Sequence, residues 1–337
     1  MSSKQGKVVH VDAFPDRIID EEVKELEKVN AEVILARCKT EDEVIEVAKD
    51  ADAIMCVRVP ITRRVVESLE NCKVIIRYGV GVDNINVEAA TDHNIVVVNV
   101  PDYCFEEVSN QAMALLIACA RKLVSLNNSL KQGHRKFTLA PMVSIYGQTL
   151  GLVGCGQIGR LVAKKAGCFG LRILGYDPYL DESIARQYEI TLVGLPELLK
   201  ESDFISIHSP LTKETRHLIS ENEFRLMKSS AYLINTARGP VVDETALIKA
   251  LREGWIAGAG LDVFDKEPKN MDVDHPLLKM DNVIVSPHCG AYSDAAFERL
   301  RISVGQEIAR VLTGRWPKNV VNKGVKPRVQ LSNENLS

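Results

Sequence analysis

The sequence predicts an α/β protein made of two doubly wound parallel-sheet domains, and three observations carry that expectation. Apolar runs of strand length alternate with amphipathic stretches of helix length along almost the whole chain. A glycine-rich turn, Gly154-Cys155-Gly156-Gln157-Ile158-Gly159, joins one such run to one such stretch near the middle. The length of 337 residues and an apolar content of 46% suit two cores, on a prior of roughly 150 residues per domain.

From the N-terminus, strands are expected over 8–11, 33–36, 53–57, 74–77 and 95–98, with helices near 21–29, 40–49, 63–69 and 87–92. Strands that alternate with short helices imply a parallel sheet covered on both faces. Pro101 closes this half. Val108, Ala112, Leu115, Leu116, Cys119 and Leu123 then recur at helical spacing, which predicts one long buried helix over 106–124 that bridges the halves. Residues 125–146 are more polar and lack a clear period, so they read either as an arm for subunit contact or as a plain surface connection.

The second half repeats the alternation, with strands over 150–153, 172–176, 191–193, 204–208, 231–234, 258–263 and 283–286. Leu161, Val162, Ala166 and Phe169 mark the helix after the glycine turn, and further helices fall near 182–188, 195–201, 221–227 and 244–252. A last helix over 295–312 is expected to return to the first domain and make it discontinuous: 1–101 plus 293–325, against 102–292 for the second. Residues 326–337 read as a polar, frayed tail.

A net charge of −3 gives no long-range attraction to nucleic acid or membrane. No apolar stretch approaches the roughly 18 residues that span a bilayer, and residues 1–7 lack the order of a signal peptide. The eight cysteines show no zinc spacing, so no metal is expected. Most sit in apolar or small-residue settings and read as reduced core or turn residues of a cytoplasmic protein. Cys155 has no acid–base neighbour in sequence, and Cys289 would point away from His288 in an extended segment, so neither is expected to be a nucleophile.

A helix N-terminus offers unpaired N–H groups and partial positive charge, and glycines let a pyrophosphate approach the backbone. Gly154, Gly156 and Gly159 therefore read as the dinucleotide turn of a Rossmann-like domain. Asp177 ends the next apolar run, near the roughly 20-residue separation expected of the carboxylate that accepts the ribose hydroxyls. It would repel a 2'-phosphate, so NAD is favoured over NADP.

Several strands end at polar or charged residues, and in an open parallel sheet those ends share one ligand-binding edge. Arg238 suits the grip on a carboxylate, because its guanidinium stays charged and forked. His288 suits proton donation, because imidazole titrates near neutral pH, and Glu267 could pair with it and stabilise the charged ring. Taken singly, each has a plain structural alternative; their shared place beyond a cofactor turn is what points to chemistry. Arg58, near an earlier strand end, could meet a distal anionic group such as a phosphate or make a surface ion pair. The paired glycines Gly79 and Gly81 could present N–H groups to an anion or form an ordinary turn.

Residues 77–84 (RYGVGVDN), 151–159, 176–178 (YDP), 235–243 (NTARGPVVD), 261–268 (LDVFDKEP) and 286–291 (SPHCGA) occur in that order. Over nearly its whole length the chain thereby resembles the D-isomer-specific 2-hydroxyacid dehydrogenase family. The resemblance implies an NAD-dependent oxidoreductase that interconverts a small 2-oxoacid and the D-2-hydroxyacid, works as a homodimer and closes its domains around substrate. It implies that Arg238, Glu267 and His288 are catalytic, and that Gln157 and Ile158 cover the pyrophosphate. By the same resemblance Ser209, Thr215, Thr236, Ala237 and His288 line the dinucleotide, and Asp262 meets the nicotinamide amide. Val80 and Gly81 would face the substrate carboxylate, with Arg58, Tyr78, Gly79 and Arg238 around the substrate.

The chain departs from its relatives in places. It reads Ser109-Asn110 where many have Ala-Glu, and its Glu267 replaces the glutamine of formate-oxidising members. It also ends before the regulatory domain of long-form phosphoglycerate dehydrogenases. C-terminal-binding-protein corepressors share the triad, and Tyr292-Ser293 echoes their sequence, but Ala291 stands where they carry tryptophan. An NADH-binding, corepressor-like interaction module is thus the alternative class, separable from an enzyme by turnover of 2-oxoacids.

Overall fold

Valine and isoleucine runs become sheet centres because a strand covered on both faces needs no polar side. In the computed structural model, which describes residues 6–13, 20–134, 142–266 and 271–333, they do so in two units: Met1–Tyr103 with Ser293–Ser337, and Cys104–Tyr292.

Unit 1 holds strands β1 (Gly6–His10), β2 (Ala31–Leu35), β3 (Ala53–Cys56), β4 (Val74–Arg77) and β5 (Val96–Val98) in one parallel sheet of order β2-β1-β3-β4-β5. β3 and β5 are buried along their whole length. Around them lie α1 (Asp20–Glu27), α2 (Glu41–Ala48), α3 (Arg63–Ser68) and α4 (Val87–Asp92). α2 begins at a capping box in which Thr40 accepts from the Glu43 N–H while the Glu43 carboxylate accepts from Thr40. A last helix, Asp294–Leu312, packs along α1, where Arg301 Nε lies 2.8 Å from Glu21 Oε2. The frayed tail expected from residue 326 is corrected: Arg328 donates to the carbonyls of Leu69, Glu70 and His93, and Ser332 N–H donates to Gly314. With Arg328 N–H donating to Asn94 and the Ser332 carbonyl accepting from Trp316 N–H, the segment around these two residues is tied down.

Unit 2 opens with α5 (Phe105–Ala120) and α6 (Leu123–Lys131). The single helix predicted over 106–124 is therefore two. Lys122 adopts a left-handed φ of 49°, which ends one helix and starts another on a new axis. Strands and helices then alternate: β6 (Thr149–Val153), α7 (Gln157–Cys168), β7 (Arg172–Tyr176), α8 (Glu182–Gln187), β8 (Ile190–Leu192), α9 (Leu195–Glu201) and β9 (Phe204–Ile207). After these come α10 (Glu221–Leu226), β10 (Tyr232–Asn235), α11 (Glu244–Arg252), β11 (Gly258–Leu261) and β12 (Val283–Val285). The sheet is parallel throughout, in order β12-β11-β10-β9-β6-β7-β8. Ile205, Ile207 and Leu233 face the core beneath α9 to α11, whereas Leu150, Leu152, Phe204 and Ile234 face α5 and α7. Both faces are covered, so only the strand ends remain open to ligands. Among the described residues no helix is long and apolar enough to cross a membrane.

Candidate active site

Strand register determines which loops of unit 2 meet. Val153 pairs with both Tyr176 and Ile207, Asn235 with Ile207 and Leu261, and Leu261 with Val285. The next residue of each strand, namely Gly154, Asp177, His208, Thr236, Asp262 and Ser286, therefore lies on one edge. Residues distant in sequence converge there.

The glycine turn forms a cradle on that edge. Gly154 has φ +95°, and a Cβ there would lie 2.7 Å from the Ser209 nitrogen; one on Gly159 would lie 2.4 Å from the Gly154 oxygen. Glycine is required at both for β6, β9 and α7 to meet this closely. At Gly156 a Cβ would meet nothing within 4 Å, and this residue caps α7 without a side-chain hydrogen bond. Open space in front of an uncapped helix N-terminus fits a pyrophosphate. Gln157 and Ile158 form the first turn of that helix. Asp177 accepts from Cys155 N–H at 2.8 Å and Tyr179 N–H at 3.0 Å. A carboxylate has about four acceptor positions, so capacity for ribose hydroxyls remains.

Thr236 Oγ1 is buried and has no partner among the described residues, a group for which a bound dinucleotide is a natural partner. Ser209 and Thr215 are committed within the protein: Ser209 Oγ donates to the Val153 carbonyl at 3.0 Å, and Thr215 Oγ1 to the Pro210 carbonyl at 2.6 Å. They shape the 209–215 loop, whatever else they touch. His208 hydrogen-bonds Ser206, and burial holds its imidazole down at about 4, so it is neutral near pH 7.

Arg238 sits in a turn that Asn235 builds from the end of β10. The Asn235 amide donates to the Arg238 carbonyl and accepts from Ala237 N–H, both at 3.0 Å. Arg238 also donates to the Ala237 carbonyl. The next residue, Gly239, lies against the Phe264 backbone so closely that a Cβ would fall 1.9 Å from the Phe264 oxygen. This contact sets the arginine turn against the segment leading to Glu267, which itself lies outside the described residues.

His288 follows β12 and is exposed, with a left-handed φ of 54°. Asp262, only 1% exposed, accepts from Ser286 Oγ at 2.6 Å, Cys289 N–H at 3.0 Å and Gly290 N–H at 2.8 Å. Its carboxylate is thus turned into the histidine loop. Gln111, on α5, donates to Ser286 Oγ at 2.9 Å. Sequence reasoning missed Gln111, Asn235 and Ser286 as site-building residues. Burial pushes the Cys155 thiol up to about 12, and burial with the Asp262 charge raises that of Cys289. Neither is a thiolate near neutral pH.

In unit 1 the Asp12 carboxylate accepts from three successive N–H groups, those of Val57, Arg58 and Val59, just past β3. The Arg58 side chain is exposed. Tyr78, expected at the substrate, has its side chain in the core: the ring stacks on His10 at 4.9 Å, and the hydroxyl donates to Glu22 Oε1 at 2.7 Å. Any ligand contact there is left to the backbone. Gly79 takes φ +128°, and the Val80 carbonyl accepts from Asn99 at 2.6 Å, which fixes the turn.

A glycine cradle, a ribose-type carboxylate and polar strand ends on one parallel sheet define a nicotinamide-dependent dehydrogenase. Residues 113–290 match the family described as D-isomer specific 2-hydroxyacid dehydrogenase, NAD binding domain. The chain is 44% identical to a D-3-phosphoglycerate dehydrogenase of Methanocaldococcus jannaschii over 94% of its own length and 60% of that protein's. It is 43% identical to a glyoxylate reductase of Korarchaeum cryptofilum, covering 84% of this chain and 86% of the other. The fold is similar to that of Aquifex aeolicus D-lactate dehydrogenase complexed with NAD and lactic acid, with a TM-score of 0.82, 29% identity and coverage of 94% and 99%. The chain belongs to the D-isomer-specific 2-hydroxyacid dehydrogenase family. It is an enzyme and uses NAD.

Proposed function

We propose that this chain reduces a small 2-oxoacid of the glyoxylate and hydroxypyruvate type to the 2-hydroxyacid, D-configured where a centre is created, and runs the reverse reaction. The observation that supports this most is the common edge of β10, β11 and β12, from which the Arg238 turn and the Asp262-held His288 loop both emerge. Unit 2 is assigned to the cofactor and unit 1 to the substrate.

Arg238 grips the substrate carboxylate and holds the 2-oxo group in place. His288 holds the proton that passes to the carbonyl oxygen as negative charge develops there, and takes it back in the oxidative direction. Glu267 stabilises the charged imidazole. Gly154, Gly156 and Gly159, with Gln157 and Ile158, receive the pyrophosphate; Asp177 takes the ribose; Thr236 and Ala237 lie along the dinucleotide. The dinucleotide held there would supply hydride to the carbonyl carbon as NADH and accept it as NAD in the reverse direction. The backbone of Gly79, Val80 and Gly81 is assigned to the substrate.

Initial rates with NADH and glyoxylate, hydroxypyruvate or 3-phosphohydroxypyruvate test the reading. His288→Ala is expected to lower kcat by roughly 10²- to 10⁴-fold while leaving NADH affinity nearly intact; an unchanged kcat removes His288 from proton transfer. A second reading, a phosphorylated substrate, is favoured by exposed Arg58 and by the M. jannaschii relative. Against it, the Asp12 carboxylate already fills the N–H groups beside Arg58. The ratio of kcat/KM for phosphorylated and plain hydroxypyruvate decides.

A homodimer is supported by α6, which buries none of its residues and leaves Leu123 and Leu130 62% and 66% exposed. Sedimentation at twice the chain mass of 37.3 kDa is expected; a monomer at micromolar concentration refutes it. Eight free thiols support a reducing, cytoplasmic setting.

A further inference from the structure

We propose that Gln111 and Ser286 are positioning residues for His288, acting through Asp262; this rests on the reading of His288 as the proton donor. The array has a defined polarity. Ser286 owns one hydroxyl proton and gives it to Asp262 Oδ1 at 2.6 Å, so its oxygen is left to accept from Gln111 Nε2 at 2.9 Å. Asp262 in turn receives the N–H groups of Cys289 and Gly290, while Ser286 lies on the other side of His288. One buried carboxylate thereby holds both flanks of the histidine.

That grip matters because His288 sits at φ 54°, a conformation costly for a residue with a Cβ. Within the 286–290 turn, His288 N–H donates to the Ser286 carbonyl at 3.0 Å, which alone does not select the left-handed backbone. The flanking bonds to Asp262 do, and they aim the imidazole. A carboxylate that accepts from one hydroxyl, two N–H groups and, at 3.7 Å, the Cys289 thiol of this loop acts first as its anchor, whatever it offers a nicotinamide amide. Gln111 lies 175 residues away in sequence and fixes which way the serine proton points. It therefore controls how firmly Asp262 is held.

Gln111→Glu tests the polarity with little change of shape. Glutamate cannot donate, so two carboxylates would compete for the single Ser286 proton. With glyoxylate and NADH, Gln111→Glu and Ser286→Ala are each expected to lower kcat roughly 10- to 100-fold, as for a displaced reacting group, with the NADH dissociation constant changed less than about twofold. Ser286→Thr, which restores the hydroxyl, should recover most of the loss. In His288→Ala the further change Ser286→Ala should cost almost nothing, because the group being aimed is gone. The proposal is overturned if kcat stays within about twofold of the parent in both single variants, if the serine loss persists in full in His288→Ala, or if NADH affinity falls by the same factor as kcat. An unaltered kcat in His288→Ala itself would instead refute the proton-donor reading, so the two failures are separable.

Discussion

Asp177 has two tasks that a substitution can separate. Its carboxylate accepts from Cys155 N–H and Tyr179 N–H, which fixes the glycine turn, and on the proposed ribose assignment its charge would repel a 2'-phosphate. Asp177→Asn removes the charge and keeps one acceptor oxygen. The two N–H bonds fall on different carboxylate oxygens, so one of them is lost as well, and the readout is the NADH to NADPH ratio, in which that loss cancels. The substitution is expected to shrink the preference for NADH over NADPH in kcat/KM by about tenfold or more, a free-energy change of about 1.4 kcal/mol. If the ratio of the two specificity constants is unaltered, the ribose acceptor lies elsewhere. Asp177 was legible in the sequence because it closes an apolar run at a fixed distance from three glycines. Residue by residue, Asp262 was legible as a polar strand end but not as an anchor, since its donors come from residues 24 to 28 positions further on. Tyr78 was placed around the substrate by the resemblance, yet its side chain is buried, with the ring stacked on His10 and the hydroxyl donating to Glu22.

Among the elements, α5 and α7 are joined by one lysine. Lys165 Nζ donates to the Glu106 carbonyl and carboxylate, to Ser109 Oγ at 2.6 Å and to Asn110 Oδ1 at 2.7 Å. The Ser109-Asn110 pair that sets this chain apart from many relatives thus gives Lys165 two of its acceptors. Lys165→Met keeps the aliphatic stem and removes all four bonds. It is expected to destabilise unit 2 by about 1 kcal/mol, because the ion pair is largely exposed and the Ser109 bond alone is partly buried. Melting followed by circular dichroism should show a drop of roughly 2–4 °C; an unchanged midpoint would mean that solvent replaces these bonds without loss. Element order was readable because each strand and helix repeats its own period and each strand stops at a turn residue. The break at Lys122 was not, since apolar residues continue past it at helical spacing and only the backbone angle changes. The Gln111–Ser286 bond was equally hidden, because a hydrogen bond across 175 residues leaves no local pattern.

Across the whole molecule, buried titratable groups limit stability on both sides of neutral pH. Burial pushes Cys56 and Cys72 in unit 1, and Cys119 and Cys155 in unit 2, from 9.0 up to about 12. Between those values the unfolded chain has released protons that the folded chain still holds, so stability falls as pH rises. Each thiol costs roughly 1.4 kcal/mol per pH unit in that window, and each unit carries two. Against a total of about 5–15 kcal/mol, this is a large loss, and both units should be markedly destabilised by about pH 11. On the acid side the sign is reversed, because His208 is lowered from 6.5 to about 4. Below 6.5 the unfolded chain takes up a proton that folded His208 refuses, so stability falls with falling pH until about 4. That loss belongs to unit 2. Burial raises the carboxyls of Glu22 and Glu307 in unit 1, and their protonation relieves a cost as the pH drops. Calorimetry from pH 4 to 11 is therefore expected to give a plateau between about 6.5 and 9, an alkaline fall and a shallower acid fall. His208→Gln, which keeps a hydrogen-bonding group for Ser206 but cannot titrate, should flatten the acid limb and leave the alkaline one unchanged. A midpoint that holds steady from pH 9 to 11 would mean that the four thiols ionise in the folded chain as readily as in water.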